Sequence, residues 1–436
     1  MKKTISFFLA FMMIFLTVSL AACNETVDLE NETEESEEID RTSKPTEDPV
    51  EKPTEESTEK PTEDSEHNQE GDGTIMIGMT APLSGDSMLI GRAVQHGAQG
   101  AIDEINAAGG IEGMLLSLNV ADDKNDPSLV SGLYFELMSA GMKISLGSVT
   151  SSCCKEFAGE AEQDGLFVLT PTATDRELFE YDRLYGMELA DMDEMDVLIE
   201  YLEDVCASSD SKLGVIYCED YEPSKRCKDY LVANGGSLVN GAIFVDAEVA
   251  WDEYDGEAAE RLSTCENIVI LYPIDEVAVA SLVGDIDFIK RYEGCKTERF
   301  ISLYTFYDFD WGIVWDPQSL SIDVLMPFDA LATSGEFADF SKKYSDFHYS
   351  DAMVALGYDA VYAIYEALLC AIEDGTQISA DMSADDFGEI LDGVFSAGFE
   401  FDALTGGDSD GRGIIAWHPD GRANKKLCTV TFNPYR

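Results

Sequence analysis

Apolar segments of two kinds alternate along the chain from Thr74 onward. Short, continuously apolar runs, which are typical of buried strands, are each followed by a longer segment with apolar residues at helical spacing. In residues 74–174 the pattern predicts strands in TIMIGMTAPLSG, LLSLNVADD, KISLGSVT and LFVLTPTAT, and helices in GRAVQHGAQGAIDEINAAGG, LVSGLYFELMSAG and SCCKEFAGEAEQDG. Strands and helices that alternate on short loops indicate a parallel sheet covered by helices on both faces.

The same alternation resumes in the second half of the chain. Strands are predicted in KLGVIYCED, SLVNGAIFVD, NIVILYP and RFISLYT, with a helix through Tyr230 and another before the last of these strands. A chain of 436 residues is also longer than one hydrophobic core usually serves. The pattern therefore predicts an α/β protein with two open Rossmann-like lobes, each built on a parallel sheet.

The N-terminus has the pattern of an export signal. Lys2 and Lys3 precede an apolar run over residues 5–20, which ends in Leu-Ala-Ala before Cys23. The run is short for a membrane span, which needs about 20 apolar residues. Residues 1–22 are predicted to be a signal peptide, and residues 20–23 resemble the bacterial lipoprotein box, in which Cys23 becomes lipidated.

Residues 23–73 are predicted to be a disordered acidic Pro/Thr/Glu linker. Residues 24–74 contain 20 Asp or Glu against 4 Lys or Arg, and KPTED or KPTEE recurs every eight residues from 44 to 64. Low hydrophobicity, like-charge repulsion and recurrent proline keep such a segment unfolded. The linker would raise the folded part above the membrane.

Charge and residue usage narrow the classes of function. The formal net charge of −58 would repel nucleic-acid backbones, so no nucleic-acid partner is predicted. Besides Cys23 there are nine cysteines without CxxC spacing, most of them predicted to be buried free thiols, with one or two bridges left open. Four histidines, none sharing a helical face with another, do not support a His-based zinc site or a Ser-His-Asp triad. No metal or cofactor is predicted.

A series of motifs carries a resemblance to a known family. In order along the chain they are PLSG at 82–85, INAAGGIEG at 105–113, DDKNDP at 122–127, TPTAT at 170–174, GYDAV at 357–361 and FEFD at 399–402. Together they resemble the type I periplasmic-binding-protein superfamily, in the branch of Leu/Ile/Val-binding lipoproteins of ABC transporters. The resemblance covers nearly all of residues 74–436. It implies two lobes joined by a multi-crossover hinge, with the ligand in the cleft between them.

The resemblance and the pattern together give domain boundaries. Lobe I is expected over residues 74–191 and 326–395, and lobe II over residues 192–325 and 396–436. Open α/β sheets bind ligands beyond the carboxyl ends of their strands, which places the candidate site in the loops that follow the strands.

The segment TSSCC at 150–154 lies at such a strand end. A helix is predicted to begin directly after the strand, so Ser151 and Ser152 fall at or near its N-cap. A serine there either satisfies a free backbone N–H of the helix or helps to form an anion site at the helix N-terminus. The resemblance implies that Ser151 and Thr174 contact a ligand carboxylate, with Ser152 and the backbone of Ala173 beside them.

The resemblance implies further ligand contacts. Asp193 occupies the position of an acid that meets the ligand's ammonium group, although it also belongs to an acidic run that could be a solvated helix start. Tyr221 stands where the family often has a cleft-lining tyrosine. Tyr272 and Tyr304 follow predicted strands, where core packing is the alternative. The resembled amino-acid binders place a glutamate near Tyr304, which is absent here, so an amide, a small acid or an aromatic compound remains open as ligand.

Cysteine usage also departs from the resembled family. Its members often join the DDxxDP loop to the residue before the serine pair by a disulfide, and those positions are Asn125 and Thr150 here. Cys153 and Cys154 are predicted to be separate neutral thiols that pack inward.

Residues 152–155 match S-x-x-K, the nucleophile motif of penicillin-recognising hydrolases, which is a feature of an enzyme. The partner motifs of that class are missing, so no enzymatic activity is predicted. The acidic turn at 407–413 lacks the spacing of a calcium-binding EF-hand.

The sequence thus predicts an extracytoplasmic solute-binding lipoprotein on the cell membrane. It would capture an amino acid or a related carboxylate and deliver it to an ABC permease and ATPase complex. The alternatives are a ligand sensor of the same fold, presented to a membrane receptor, and an amide or aromatic-acid binder.

Overall fold

The computed structural model describes residues 73–85, 87–207, 211–246, 256–271, 289–290, 293–303, 322–328, 334–344, 351–407 and 412–432. Its first sheet has five parallel strands in the order β2-β1-β3-β4-β5. These are β1 (Thr74–Ala81), β2 (Leu115–Asp122), β3 (Ile144–Ser148), β4 (Val168–Thr170) and β5 (Leu184–Gly186). Helices α1 (Met88–Ala107), α2 (Pro127–Ala140) and α3 (Ser151–Gln163) connect the first four strands, and a 3₁₀ turn (Arg176–Glu180) precedes β5.

Local sequence explains where these helices begin and end. The buried face of α1 includes Val94, Ala98, Ala101 and Ile105, which recur at helical spacing. At the start of α2 the Asp126 carboxylate accepts a hydrogen bond from the backbone N–H of Ser128, and Gly141 ends the helix in the left-handed region with φ of 103°.

The second sheet has six strands in the order β14-β10-β9-β8-β6-β7. They are β6 (Leu213–Tyr217), β7 (Ile243–Asp246), β8 (Asn267–Leu271), β9 (Arg299–Leu303), β10 (Ile322–Met326) and β14 (Cys428–Phe432). All pairs are parallel except β10 with β14. Helices α4 (Asp193–Val205), α5 (Glu222–Asn234) and α6 (Gly256–Leu262) belong to this half. The predicted fold class, two Rossmann-like lobes on parallel sheets with several crossovers, is confirmed.

The chain between β10 and β14 contains three helices, α7 (Glu336–Tyr344), α8 (Asp351–Glu373) and α9 (Ala384–Ser396). A small antiparallel sheet follows, of β11 (Glu400–Ala403), β12 (Gly413–Trp417) and β13 (Ala423–Asn424).

The small sheet packs on the first lobe. Phe401, Ile415 and Trp417 lie in the same buried cluster as Phe167, and the Trp417 Nε1–H donates to the Gly186 carbonyl at 2.7 Å. The face of this sheet that carries Phe401, Ile415 and Trp417 thus covers the core of lobe I, whereas Leu404 lies in the core of the second sheet. The assignment of residues from 396 onward to lobe II stays a prediction. Short alternating strands show that one face is buried, but they do not show which core covers it. The other boundaries remain predictions.

Helix α8 joins the two cores. Its residues contribute to the buried clusters of both lobes, and it lies against α1. This helix is long and apolar enough to cross a membrane, but 61% of its apolar window is buried inside the protein, as in a core helix.

The buried Asp359 of α8 fixes the turn after β11. Its carboxylate accepts hydrogen bonds from the Leu404 N–H at 3.2 Å and from the Thr405 N–H and hydroxyl at 2.9 and 2.8 Å. Burial raises the pKa of Asp359 to about 6, although these hydrogen bonds oppose the shift.

Candidate ligand-binding site

The loops that follow β3 and β4 meet at Ser151. Its hydroxyl oxygen accepts hydrogen bonds from the backbone N–H groups of Thr174, at 3.1 Å, and of Asp175, at 3.3 Å. Because β3 and β4 are neighbouring parallel strands, their carboxyl ends lie at the same edge of the sheet. The convergence of these two loops, which the sequence predicted, is confirmed. In the part of the chain that the structure describes, no group accepts a hydrogen bond from the Ser151 hydroxyl.

The N-terminus of α3 faces the same loops. Thr150 is the N-cap residue, but its side chain makes no capping hydrogen bond. Ser151 and Ser152 are the first two residues of the helix, and the Ser152 side chain is exposed. The backbone N–H groups of the first helical turn carry partial positive charge and suit an anion.

The side chain of Thr150 contacts the loop after β2 instead. Its hydroxyl donates to the Asn125 side-chain carbonyl at 2.8 Å, and the Asn125 amide group donates to the Ser87 hydroxyl at 3.3 Å. A hydrogen bond thus joins the two positions at which the resembled proteins often have a disulfide. It fixes the β2–α2 loop against the N-terminus of α3.

Two threonine hydroxyls fix the loop after β4, one from the buried Thr170 and one from the partly buried Thr172. The Ala173 N–H donates to the Thr170 hydroxyl at 3.2 Å, and the Thr172 hydroxyl donates to the Val149 carbonyl at 2.6 Å. Ala173 is 1% exposed as a whole residue, so its side chain is part of the core, and its backbone N–H is bound to Thr170. Its predicted ligand contact stays a prediction.

Asp193 begins α4 beside this loop, and the structure gives it two cationic partners. Its Oδ1 lies 2.9 Å from Arg176 Nη1, and its Oδ2 lies 2.6 Å from Arg422 Nη1. The expected partner, a ligand ammonium group, would find both oxygens already bound to guanidinium groups. The sequence analysis missed both arginines. Basic residues are scarce in this chain, with 28 against 86 acidic ones, so Arg176, two residues after Thr174, could have been identified as a candidate for the site.

The predicted tyrosines are placed differently. Tyr221 is the N-cap residue of α5 and is 40% exposed, without a side-chain capping hydrogen bond. Tyr272 and Tyr304 lie outside the described residues, as do Asp308 and the predicted signal peptide, Cys23 and nearly all of the linker. Their predicted roles remain predictions.

The residues around Ser152 do not form an activated nucleophile. Lys155 is bound to Glu177, and this hydrogen bond raises the pKa of Lys155 and so keeps the amine protonated. Cys153 and Cys154 are buried free thiols, as predicted. Burial raises the pKa of Cys154 to about 11 and also raises the pKa of Cys153, so neither is a reactive thiolate at neutral pH.

Comparisons with known proteins show what this chain is similar to. Residues 74–254 match the family model described as periplasmic binding protein. The Leu/Ile/Val-binding protein BraC3 of Rhizobium johnstonii is 37% identical over 100 residues, which cover 23% of this chain and 27% of that protein. The chain thus aligns with about a quarter of the length of this curated relative.

Solved structures match over most of the chain. One is a protein from Rhodospirillum rubrum described as a putative branched-chain amino acid ABC transporter, with a TM-score of 0.61 and 15% identity, over 82% of this chain and 96% of that one. Another is a solute-binding protein of an ABC transporter from Rhodopseudomonas palustris in complex with 3,4-dihydroxybenzoic acid, with a TM-score of 0.56 and 16% identity, over 83% and 98%. These matches establish the fold as that of type I periplasmic binding proteins. The predicted resemblance is confirmed for the fold and for sequence similarity to Leu/Ile/Val-binding proteins.

Proposed function

We propose that this protein is the solute-binding component of an ABC importer and that it captures a small carboxylate between its two lobes. One observation carries the proposal: the Ser151 hydroxyl joins the loops after β3 and β4 at the N-terminus of α3. Its hydroxyl hydrogen and the N–H groups of the first helical turn can together bind an oxyanion. The protein is proposed to act by binding alone, without enzymatic activity.

The ligand class follows from what these groups recognise. Leucine, isoleucine and valine, which name the curated relative, and the dihydroxybenzoic acid of the R. palustris complex all carry a carboxylate. An amino acid or a related carboxylate is therefore the proposed ligand, docking on lobe I before lobe II closes on it by a hinge motion.

The partners and the location follow from the same proposal. A permease and its ATPase would receive the ligand on the extracytoplasmic face of the membrane, and a lipid on Cys23 would anchor the protein there. Replacing Cys23 by Ser should release the protein into the soluble extracytoplasmic fraction. If the unmodified protein and the Cys23→Ser variant stay on the membrane equally after a carbonate wash, the proposed lipid anchor is wrong.

The binding proposal is tested by thermal unfolding of the purified full-length protein with amino acids, small carboxylates and aromatic acids. Ligand at a thousand times its Kd adds about 4 kcal/mol to the free energy of unfolding, which raises Tm measurably. Ser151→Ala should weaken binding of the best ligand about tenfold or more, because it removes a hydrogen bond to a charged group.

Ser131→Ala is the matched control, because the Ser131 hydroxyl donates to Glu160 at 2.7 Å on the helices away from these loops. It should bind as the unmodified protein does. If no carboxylate raises Tm, or if Ser151→Ala binds as tightly as the control, the proposed function is wrong.

A further inference from the structure

Asp193 is held by guanidinium groups from two different segments. Arg176 comes from the 3₁₀ turn after β4, and Arg422 from the hairpin between β12 and β13. Their Nη1 atoms lie 2.9 and 2.6 Å from different oxygens of the carboxylate, whose side chain is 12% exposed. Each oxygen of Asp193 therefore already has a charge-assisted hydrogen bond, the strong kind in proteins.

Three neighbouring carboxylates also have partners. Asp191 lies 3.1 Å from Arg226, Asp420 lies 2.9 Å from Arg422, and Asp196 accepts a hydrogen bond from the Tyr230 hydroxyl at 2.7 Å. A ligand ammonium at Asp193 would meet two guanidinium groups at close range. Repulsion between like charges at this separation offsets its attraction to a single carboxylate.

Two successive contacts place Arg176 next to the carboxylate-binding loops. The Asp191 N–H donates to the Thr174 carbonyl at 2.7 Å. Arg176 is two residues after Thr174, Asp193 is two residues after Asp191, and these two side chains form the next contact between the segments. Thr174 in turn donates its N–H to Ser151. The Arg176–Asp193 ion pair is thus one contact away from the Ser151–Thr174 contact.

Arg176 also retains donors for a ligand. Its side chain is 51% exposed, and within the described part of the chain its guanidinium makes one hydrogen bond, from Nη1 to Asp193. A guanidinium has five N–H donors in a planar fork that matches a carboxylate. Asp193 fixes this group at the mouth of the site and neutralises part of its charge, so that an incoming anion meets an oriented partner.

We infer that Arg176, oriented by Asp193, contacts the ligand carboxylate together with Ser151, and that the site takes carboxylic acids without a charged amine in preference to α-amino acids. This inference rests on the proposed function and chooses between the carboxylates that it admits. Arg176 is a ligand-contacting residue in this scheme, whereas Asp193 and Arg422 are positioning residues.

Matched ligand pairs that differ only in the amine test the inference. The affinity of the purified full-length protein is measured by calorimetry for leucine and 4-methylpentanoate, and for phenylalanine and 3-phenylpropanoate. In at least one pair, the acid without the amine should bind at least about tenfold more tightly than the matching amino acid. Arg176→Gln should weaken its binding about tenfold to a hundredfold, the effect of one hydrogen bond between charged groups.

Arg226→Gln is the control. Like Arg176, the Arg226 side chain is 51% exposed and forms an ion pair with a carboxylate, that of Asp191, two residues before Asp193. It should leave both affinities unchanged. Tighter binding of the amino acids, or equal losses in Arg176→Gln and Arg226→Gln, overturns the inference and leaves the proposed function standing. If neither member of any pair binds and no other carboxylate does, the proposed function and the inference are both wrong.

Discussion

A buried ion pair joins two of the chain crossovers between the lobes. Lys425 Nζ lies 2.9 Å from Glu188 Oε1, and the two side chains are 0% and 4% exposed. Glu188 follows β5 on the first passage to the second sheet, and Lys425 lies between β13 and β14 on the last. At an effective dielectric constant of about 20, two charges at this distance attract each other by about 6 kcal/mol. Most of this attraction offsets the cost of removing both charges from water.

Lys425→Met should therefore lower the free energy of unfolding by about 3–5 kcal/mol, because it leaves the Glu188 charge buried without this partner. The double variant Glu188→Gln/Lys425→Met should lose much less than the sum of the single losses, since it removes both charges. Urea unfolding of the unmodified protein, of Lys425→Met, of Glu188→Gln and of the double variant gives the coupling energy between the two side chains.

The exposed pair of Lys342 and Asp339 provides a matched control. Its N–O distance is 3.0 Å, almost the same as in the buried pair, but the side chains are 65% and 77% exposed. Lys342→Met should change stability by no more than about 0.5 kcal/mol. The reasoning is refuted if Lys425→Met costs no more than Lys342→Met, or if the losses from the two buried substitutions simply add.

Three further predictions concern stability. Because the pKa of Asp359 is raised from 3.8 to about 6 in the folded state, the folded protein binds more protons than the unfolded chain between these values. Stability should therefore fall by about 2 kcal/mol as pH rises from 4 to 6. Urea titrations should show that Asp359→Asn lacks this component, and an identical pH profile in the variant would contradict it. The double substitution Asn125→Cys and Thr150→Cys should form a disulfide that closes a 26-residue loop. The cross-link should add at most about 3.5 kcal/mol to the free energy of unfolding, so the oxidised protein should have a higher Tm than the reduced protein. Equal Tm values for the two forms would contradict this loop-entropy argument. Gly97→Ala would place Cβ 1.8 Å from the Val354 carbonyl oxygen and should destabilise the α1–α8 contact by about 1–3 kcal/mol; an unchanged Tm would contradict this packing.

The local pattern was sufficient to predict most of the described strands and helices around the site. Parallel strands bring their carboxyl ends to one edge, so the meeting of Ser151 with the loop of Thr174 follows from strand order alone, once β3 and β4 are neighbours. The inward packing of Cys153 and Cys154 follows in the same way from their place in the first turns of a helix that covers the sheet.

Contacts between distant segments could not be predicted in this way. Asp193 looked like a free acid because Arg422, one of its partners, lies 229 residues further along the chain. The hairpin that carries Arg422 covers the core that contains Phe167, and its apolar alternation alone does not show which core it covers. Thr150 and Asn125 were identified from the resemblance as a missing disulfide, whereas their hydrogen bond became visible only once the loops were placed together.

The sequence by itself determined the alternation of strands and helices, the parallel pairing that dominates both large sheets, and the strand-end loops that form the candidate site. These features depend on periodicity and turn chemistry within about twenty residues, where each residue's surroundings are set by its neighbours in the chain. Only the tertiary structure decided which charges are neutralised at Asp193 and Glu188, and which core the last hairpin covers. Electrostatic partners depend on distance in space, and a separation of two or three ångströms can join residues more than two hundred positions apart.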